Sequence, residues 1–170
     1  MFVRPLLAGS PLSGPAPLYG LPDPAREPAF YEGVATKRAL AWVADVGITF
    51  ALCLLVLPFT AFTALFWWPL LWAVVAFLYR WATMAGGSAT WGMRLMSLTV
   101  RERDGSPLSG ATALAHVAGY AVSVAAFPLL VISAALIAGL GRGQGLTDMI
   151  LGTATINRPL GSRSLGRLDR

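Results

Sequence analysis

The stretch from Ala39 to Tyr79, ALAWVADVGITFALCLLVLPFTAFTALFWWPLLWAVVAFLY, contains one charged residue, Asp45. One membrane crossing takes about twenty apolar residues, so a run of about forty is too long for one helix and right for a hairpin of two. Pro58, the Phe59-Thr60-Ala61-Phe62 segment and Trp67-Trp68-Pro69 supply the reversal. Trp and Phe suit the headgroup level, and proline suits the first turn of a returning helix. The pattern predicts one span near Arg38–Leu57 and a second near Trp67–Trp81, with Tyr79, Arg80 and Trp81 at the opposite interface. Lys37 and Arg38 precede the hairpin, and Arg80, Arg94, Arg101 and Arg103 follow it. Positive residues beyond both ends place those ends in the cytoplasm.

The composition of the whole chain agrees. Its 170 residues are 56% hydrophobic and 12% charged, where a soluble domain is roughly a quarter charged. The length suits one domain. Thirteen Lys and Arg against eight Asp and Glu give a net charge of +5. In a soluble chain that excess points to nucleic acid. Here the basic residues flank apolar runs, which fits anionic lipid and orientation signals instead. The expected partner is therefore the lipid bilayer, with no nucleic acid. Cys53 stands alone inside an apolar run, so it forms neither an internal disulfide nor a metal cluster.

Outward from the hairpin, residues 1–32 hold seven of the twelve prolines (Pro5, Pro11, Pro15, Pro17, Pro22, Pro24 and Pro28), with Gly9, Gly14 and Gly20 among them. Proline at this density blocks helix and sheet and predicts a disordered tail, with a partner-binding Pro-rich motif as the alternative. Its short apolar patch is broken at once by Gly9 and Pro11, so the first membrane helix is expected to serve as its own signal.

Beyond Gly86-Gly87, the segment Ser88 to Met96 reads as an interfacial helix, Leu98 to Arg101 as a short strand, and Asp104-Gly105 as a turn. A second uncharged stretch runs from Ser109 to Leu140. Its length of about thirty residues is too great for one upright helix and small for two. Pro128 interrupts it, as a kink or as the corner of a helical hairpin. A Gly-rich joint (Gly139 to Gly145), a helical turn at Leu146–Leu151, a strand at Thr153–Asn157 and a basic tail (Arg158, Arg163, Arg167, Arg170) complete the chain. A lone unpaired strand beside a membrane would leave its backbone groups unsatisfied. Pairing Leu98–Arg101 with Thr153–Asn157 solves this, requires an even number of passes, and brings Asp148 towards Arg94.

Asp45 is the leading candidate for chemistry, because a charge about two turns inside a membrane helix is costly unless paired, hydrated or protonated. Arg38 lies seven residues earlier on nearly the same face, about 10 Å away along the axis, which is long for a direct bond. Each residue therefore meets a partner on another segment or shares water, with Arg94 first and Arg38 next as partner for Asp45. The functional reading is an ion, proton or ligand site, and the structural reading is a lock between helices. His116, Tyr120 and Ser123 share a helix face at spacings of four and three, as a polar lining or as interhelical hydrogen bonds. Gly47-x-x-x-Ala51 suggests close helix packing. The glycines of the Gly139–Gly145 joint lack the strand and the Lys-Ser/Thr ending of a phosphate loop. The chain has no nucleophile triad, HExxH, CxxC or dinucleotide fingerprint, and one histidine builds no histidine-rich metal site. A non-enzymatic protein is expected, without cofactor or metal.

Three blocks together resemble the RDD family of bacterial membrane proteins. The first is Tyr31-Glu-Gly33 with Lys37-Arg38-Ala-Leu-Ala41-Trp-Val-Ala-Asp45. The second is Gly87-Ser-Ala-Thr90-Trp-Gly92-Met-Arg94-Leu-Met-Ser-Leu98-Thr-Val100, running on to Asp104-Gly105. The third is Arg142-Gly-Gln144-Gly-Leu146-Thr-Asp148-Met-Ile-Leu-Gly152-Thr153-Ala-Thr-Ile156. By this resemblance the naming arginine and two aspartates are Arg38, Asp45 and Asp148. Arg94 replaces the usual lysine after Gly92, and His116 stands where members often carry arginine.

The resemblance implies a bacterial inner-membrane protein with several passes, and the basic flanks of the hairpin put its N-terminus in the cytoplasm. Its suggested role is transport of unknown ligands, with cation–proton exchange among them. The expected fold is an all-α membrane protein. It is a small bundle of three to four transmembrane or re-entrant helices with a short cytoplasmic β element, over residues 33–157 between an N-terminal tail (1–32) and a basic C-terminal tail (158–170). Two function classes stand. In the first, a small transporter, homo-oligomeric or part of a larger membrane complex, moves an ion or solute through a site of Arg38, Asp45, Asp148 and Arg94. In the second, a non-catalytic accessory subunit helps assemble a larger membrane complex and uses the same residues structurally.

Overall fold

The structure is a computed structural model that describes residues 20–158. Residues 1–19 and 159–170, with the first part of the Pro-rich tail and the basic tail past Arg158, lie outside the described residues.

Helix α1 (Val34–Val56) and helix α2 (Trp68–Ala85) form the hairpin. α1 starts after Gly33, whose φ of 67° is one that glycine adopts without a Cβ penalty. It gives way at Pro58 to two short 3-10 turns, Leu57–Thr60 and Thr63–Trp67. Pro69 then sits in the first turn of α2, where its missing N–H costs nothing. α2 runs past the expected end at Trp81 to Ala85, because no breaker occurs before Gly86-Gly87. The outward faces carry large apolar side chains in the open: Leu55 is 64% exposed, Phe59 84% and Phe66 86%. Exposed apolar surface of this kind marks protein–protein or membrane interaction sites.

Helix α3 (Trp91–Leu95) is a single short turn capped by the Thr90 hydroxyl, which accepts from the Met93 N–H at 3.1 Å. It leads into β1 (Leu98–Arg101). Helix α4 (Gly110–Ala125) begins under a Ser109 cap, and helix α5 (Phe127–Gly139) leaves it at an angle of 117°. The break falls at Ala126, just before the expected Pro128. Proline fits the first turn of the second helix and cannot continue the first. α1 and α2 are each long and apolar enough to cross a membrane, and a third crossing results only if the bent α4–α5 pair is one span.

Helix α6 (Leu146–Leu151) ends at Gly152 in the left-handed region and delivers β2 (Ala154–Asn157) antiparallel to β1. Leu98 faces Asn157 and Arg101 faces Ala154 across this two-stranded sheet. Asn157 also accepts from Lys37 Nζ at 2.7 Å and donates to the carbonyls of Ala29 and Glu32. The start of α1, the sheet and α6 therefore share one end of the bundle, opposite the aromatic reversal. A core of Met84, Val100, Leu108, Ala113 and Val117 ties α2, β1 and α4 together there.

Two expectations are corrected. Residues 20–32 are not loose chain: they contain the 3-10 turn Pro28–Phe30, and the buried Tyr31 donates to the Pro22 carbonyl at 2.8 Å. Asn157 holds this segment against the sheet, a long-range contact that proline content does not disclose. Gly47, read as a helix-packing glycine, has no heavy atom within 4 Å of the place its Cβ would occupy.

Candidate functional site

Asp45 sits 1% exposed on the inner face of α1, where burial is tolerable only if its charge is met. Each carboxylate oxygen accepts twice. Oδ1 takes the Tyr79 hydroxyl at 2.6 Å and the Gly92 N–H at 2.9 Å. Oδ2 takes the Thr90 hydroxyl at 2.8 Å and Arg80 Nη1 at 3.3 Å. This one side chain therefore joins α1 to α2 and to the start of α3. Gly92 allows the approach, since a Cβ there would lie 2.7 Å from Asp45 Oδ1 and closer still to the Ala41 carbonyl oxygen.

Asp148, also 1% exposed, repeats the recipe at the sheet end of the bundle. Oδ2 accepts from Arg38 Nη1 at 2.7 Å and from the Gly145 N–H at 3.0 Å, which closes the first turn of α6. Oδ1 accepts from the Thr153 hydroxyl at 3.1 Å and meets His116 Nε2 at 2.8 Å. An ionised carboxylate only accepts, so His116 donates through a protonated Nε2. Burial alone would push the Asp148 carboxyl up. Arg38, His116 and the Gly145 N–H outweigh it and hold the group below the usual carboxylate range. Both clasps thus use an arginine, a threonine hydroxyl, a glycine N–H and one ring-bearing side chain.

A cavity of about 630 Å³ lies between α1 on one side and α4 and α5 on the other. Arg38, Trp42 and Asp45 line it from α1, and Arg80 from α2. His116, Tyr120 and Ser123 line it from α4, and Leu130, Ala134 and Ile137 from α5. Asp148 and Thr147 close the sheet end. Tyr120 accepts from Trp42 Nε1 at 2.9 Å, and the Arg80 guanidinium stands 4.5 Å from the centre of the Tyr120 ring. Ser123 bonds back to the Gly119 carbonyl of its own helix.

Arg38 and Asp148 are thus brought together, and His116 joins them. Asp45 lies on the same cavity but meets neither Arg94 nor Arg38. Arg94 is exposed and donates to the Thr83 carbonyl, outside the cavity lining. The expected approach of Asp148 to Arg94 is likewise replaced by Arg38, because β2 carries α6 to the start of α1 rather than to α3. Sequence reasoning places Tyr79 and Arg80 at the membrane interface and gives Thr90 and Thr153 no role, whereas Tyr79, Arg80 and Thr90 are buried on Asp45 and Thr153 on Asp148. Arg80 stands at the end of an apolar run and so reads as a headgroup anchor, while Thr90, Gly92 and Thr153 lie within the recurring blocks quoted above. Among the described residues no group of three or more His, Cys, Asp or Glu side chains is placed to hold a metal.

The family model described as the RDD family matches residues 33–152. Neither the curated proteins nor the solved structures gave a match.

Proposed function

The chain belongs to the RDD family, and on that premise we propose that it is a membrane protein whose cavity between α1, α4 and α5 holds a small solute. In this reading α1 and α2 cross the bilayer, and α4 and α5 dip in and return as a re-entrant pair. Pairing of β1 with β2 supports the return, as do the bonds from Lys37 to Asn157 and from Arg38 to Asp148. Lys37, Arg94, Arg101, Arg103 and Arg142 belong to this end, which favours a cytoplasmic placement in a bacterial inner membrane.

The observation that carries the solute reading is the cavity itself. At about 630 Å³ it falls within the roughly 300–1,000 Å³ of small-molecule sites. It combines apolar walls with a few polar groups on fixed helices, the usual make-up of such sites. Cation exchange at Asp45 or Asp148 is the weaker form of the reading, because all four carboxylate oxygens already accept two hydrogen bonds each. The same saturation favours a second reading, an accessory subunit whose ion pairs are purely structural. Reconstitution discriminates. Filling the cavity with Ala134→Phe should abolish solute uptake into liposomes while the protein still folds. Wild-type liposomes that take up no organic or inorganic ion tested would leave the accessory reading.

A further inference from the structure

The donors around the cavity are unevenly used. Arg80 meets Asp45 through Nη1 alone at 3.3 Å, and Arg38 meets Asp148, Thr155 and the Gly143 carbonyl through Nη1 alone. Neither guanidinium engages its carboxylate in the two-pronged manner that its planar fork permits. Among the described residues, Nε and Nη2 of both arginines have no hydrogen-bond partner. No buried side-chain nitrogen or oxygen of the described residues is left unsatisfied either, so these nitrogens are reachable, and both arginines line the cavity. Tyr120, whose oxygen accepts from Trp42, still has its own O–H to donate. On the acceptor side the carboxylates are full, and His116 Nδ1 is a lone ring nitrogen. The opposite wall, Leu130, Ala134, Ile137 and Ala138 of α5, is apolar apart from Ser133, whose hydroxyl already accepts from the Leu146 N–H.

Open cationic donors facing an apolar wall select a definite chemistry. We propose that the cavity binds an anionic amphiphile, with a carboxylate or phosphate-monoester head held by the free guanidinium edges of Arg38 and Arg80 and an apolar body lying against α5. This rests on the reading of the cavity as a solute site and names the solute's class. An oxyanion gains charge-assisted bonds from donors that no protein group takes up. A cation would meet two guanidinium groups and no free carboxylate oxygen. A neutral chain would fit the wall and leave the donors unpaired, and a small free anion would leave the wall empty.

Native mass spectrometry of the full chain released from uncharged maltoside micelles tests this. The probes are hexadecanoate, hexadecyl phosphate, hexadecanol, hexadecyltrimethylammonium, acetate and inorganic phosphate. Hexadecanoate or hexadecyl phosphate should half-occupy the protein at a concentration roughly tenfold or more below hexadecanol, the margin expected of a charge-assisted pair. Ala134→Phe, which fills the cavity without touching a polar group, should remove that binding. Arg80→Lys keeps a charge for Asp45 but has no fork, and should weaken the anion roughly tenfold while leaving the alcohol unchanged. If Arg80→Lys does not fold, the wild-type ratio and the Ala134→Phe loss decide. If hexadecanol or the ammonium probe binds as tightly as the acids and Ala134→Phe removes it, the cavity holds a solute but the anionic assignment is overturned. Acetate or inorganic phosphate binding as tightly as hexadecanoate would overturn the amphiphile. If no probe binds in a way that Ala134→Phe removes, both the assignment and the solute reading fail.

Discussion

Arg38 Nη1 lies 2.7 Å from Asp148 Oδ2 across 110 residues of chain, and this pair closes the bundle at its sheet end. Arg38 belongs to the first helix and Asp148 to the last, so their contact depends on every turn of chain between them. The Asp45–Arg80 pair spans only the hairpin, 35 residues. The two clasps therefore tie different parts of the fold, the hairpin and its closure.

Breaking the closing pair should be costly. Removing one partner of a buried ion pair typically costs about 3–5 kcal/mol, because the other charge stays buried. Arg38→Met is expected to lower the melting temperature in maltoside micelles far more than a surface change such as Arg94→Met. With Asp148→Asn the double variant should melt well above the sum of the single losses, by a coupling of at least about 1 kcal/mol. Strict additivity would mean the pair carries no energy of its own.

Glycine at 92 should be indispensable where glycine at 47 is not. A Cβ at Gly92 would meet the Ala41 carbonyl and the Asp45 carboxylate, whereas one at Gly47 meets nothing within 4 Å. Gly92→Ala should cost about 1–3 kcal/mol through overpacking. Gly47→Ala should be neutral or stabilise by about 0.5–1 kcal/mol, since alanine favours helix. Equal melting temperatures for the two variants would contradict the Asp45 geometry.

Acid should loosen the closing clasp with a definite sign. The folded Asp148 carboxyl is held below its ordinary value of 3.8 by Arg38, His116 and the Gly145 N–H, against the upward push of burial. The unfolded chain then takes up the proton first. The stabilisation is complete above about pH 4 and is lost as pH falls through the folded value. Melting followed from pH 7 to pH 3 should show a decline below about pH 4 that is shallower in Asp148→Asn. An identical acid decline in the variant would remove Asp148 as its source.

The membrane arrangement can be read by accessibility. Cys53 is fully buried, so Cys53→Ser provides a silent background. A cysteine at the exposed Thr63, in the reversal, should react with an impermeant maleimide only from the periplasmic side. A C-terminal fluorescent-protein fusion should be bright and the matching alkaline-phosphatase fusion inactive. Phosphatase activity without fluorescence would place the chain end outside and refute the re-entrant pair.

Much of the frame was legible because its signals are local. An uncharged run too long for one span, aromatic residues and proline at its middle, and two short strand patterns needing each other specify the hairpin and the sheet of β1 and β2. The sequence also singled out Arg38 and Asp45 as charges that need partners, and the family resemblance added Asp148. It did not say which partners. Helical spacing put Arg38 and Asp45 on one face, yet about 10 Å of helical rise separates them, and each bonds across to other elements. Arg80 passed as a headgroup anchor because periodicity reports the face a residue lies on and not what stands opposite. The docking of residues 20–32 under Asn157 and the cavity between α1 and α5 were hidden for the same reason. Pattern along the chain decides which groups must be buried or satisfied. Which groups satisfy them is decided only when segments up to 110 residues apart are packed together.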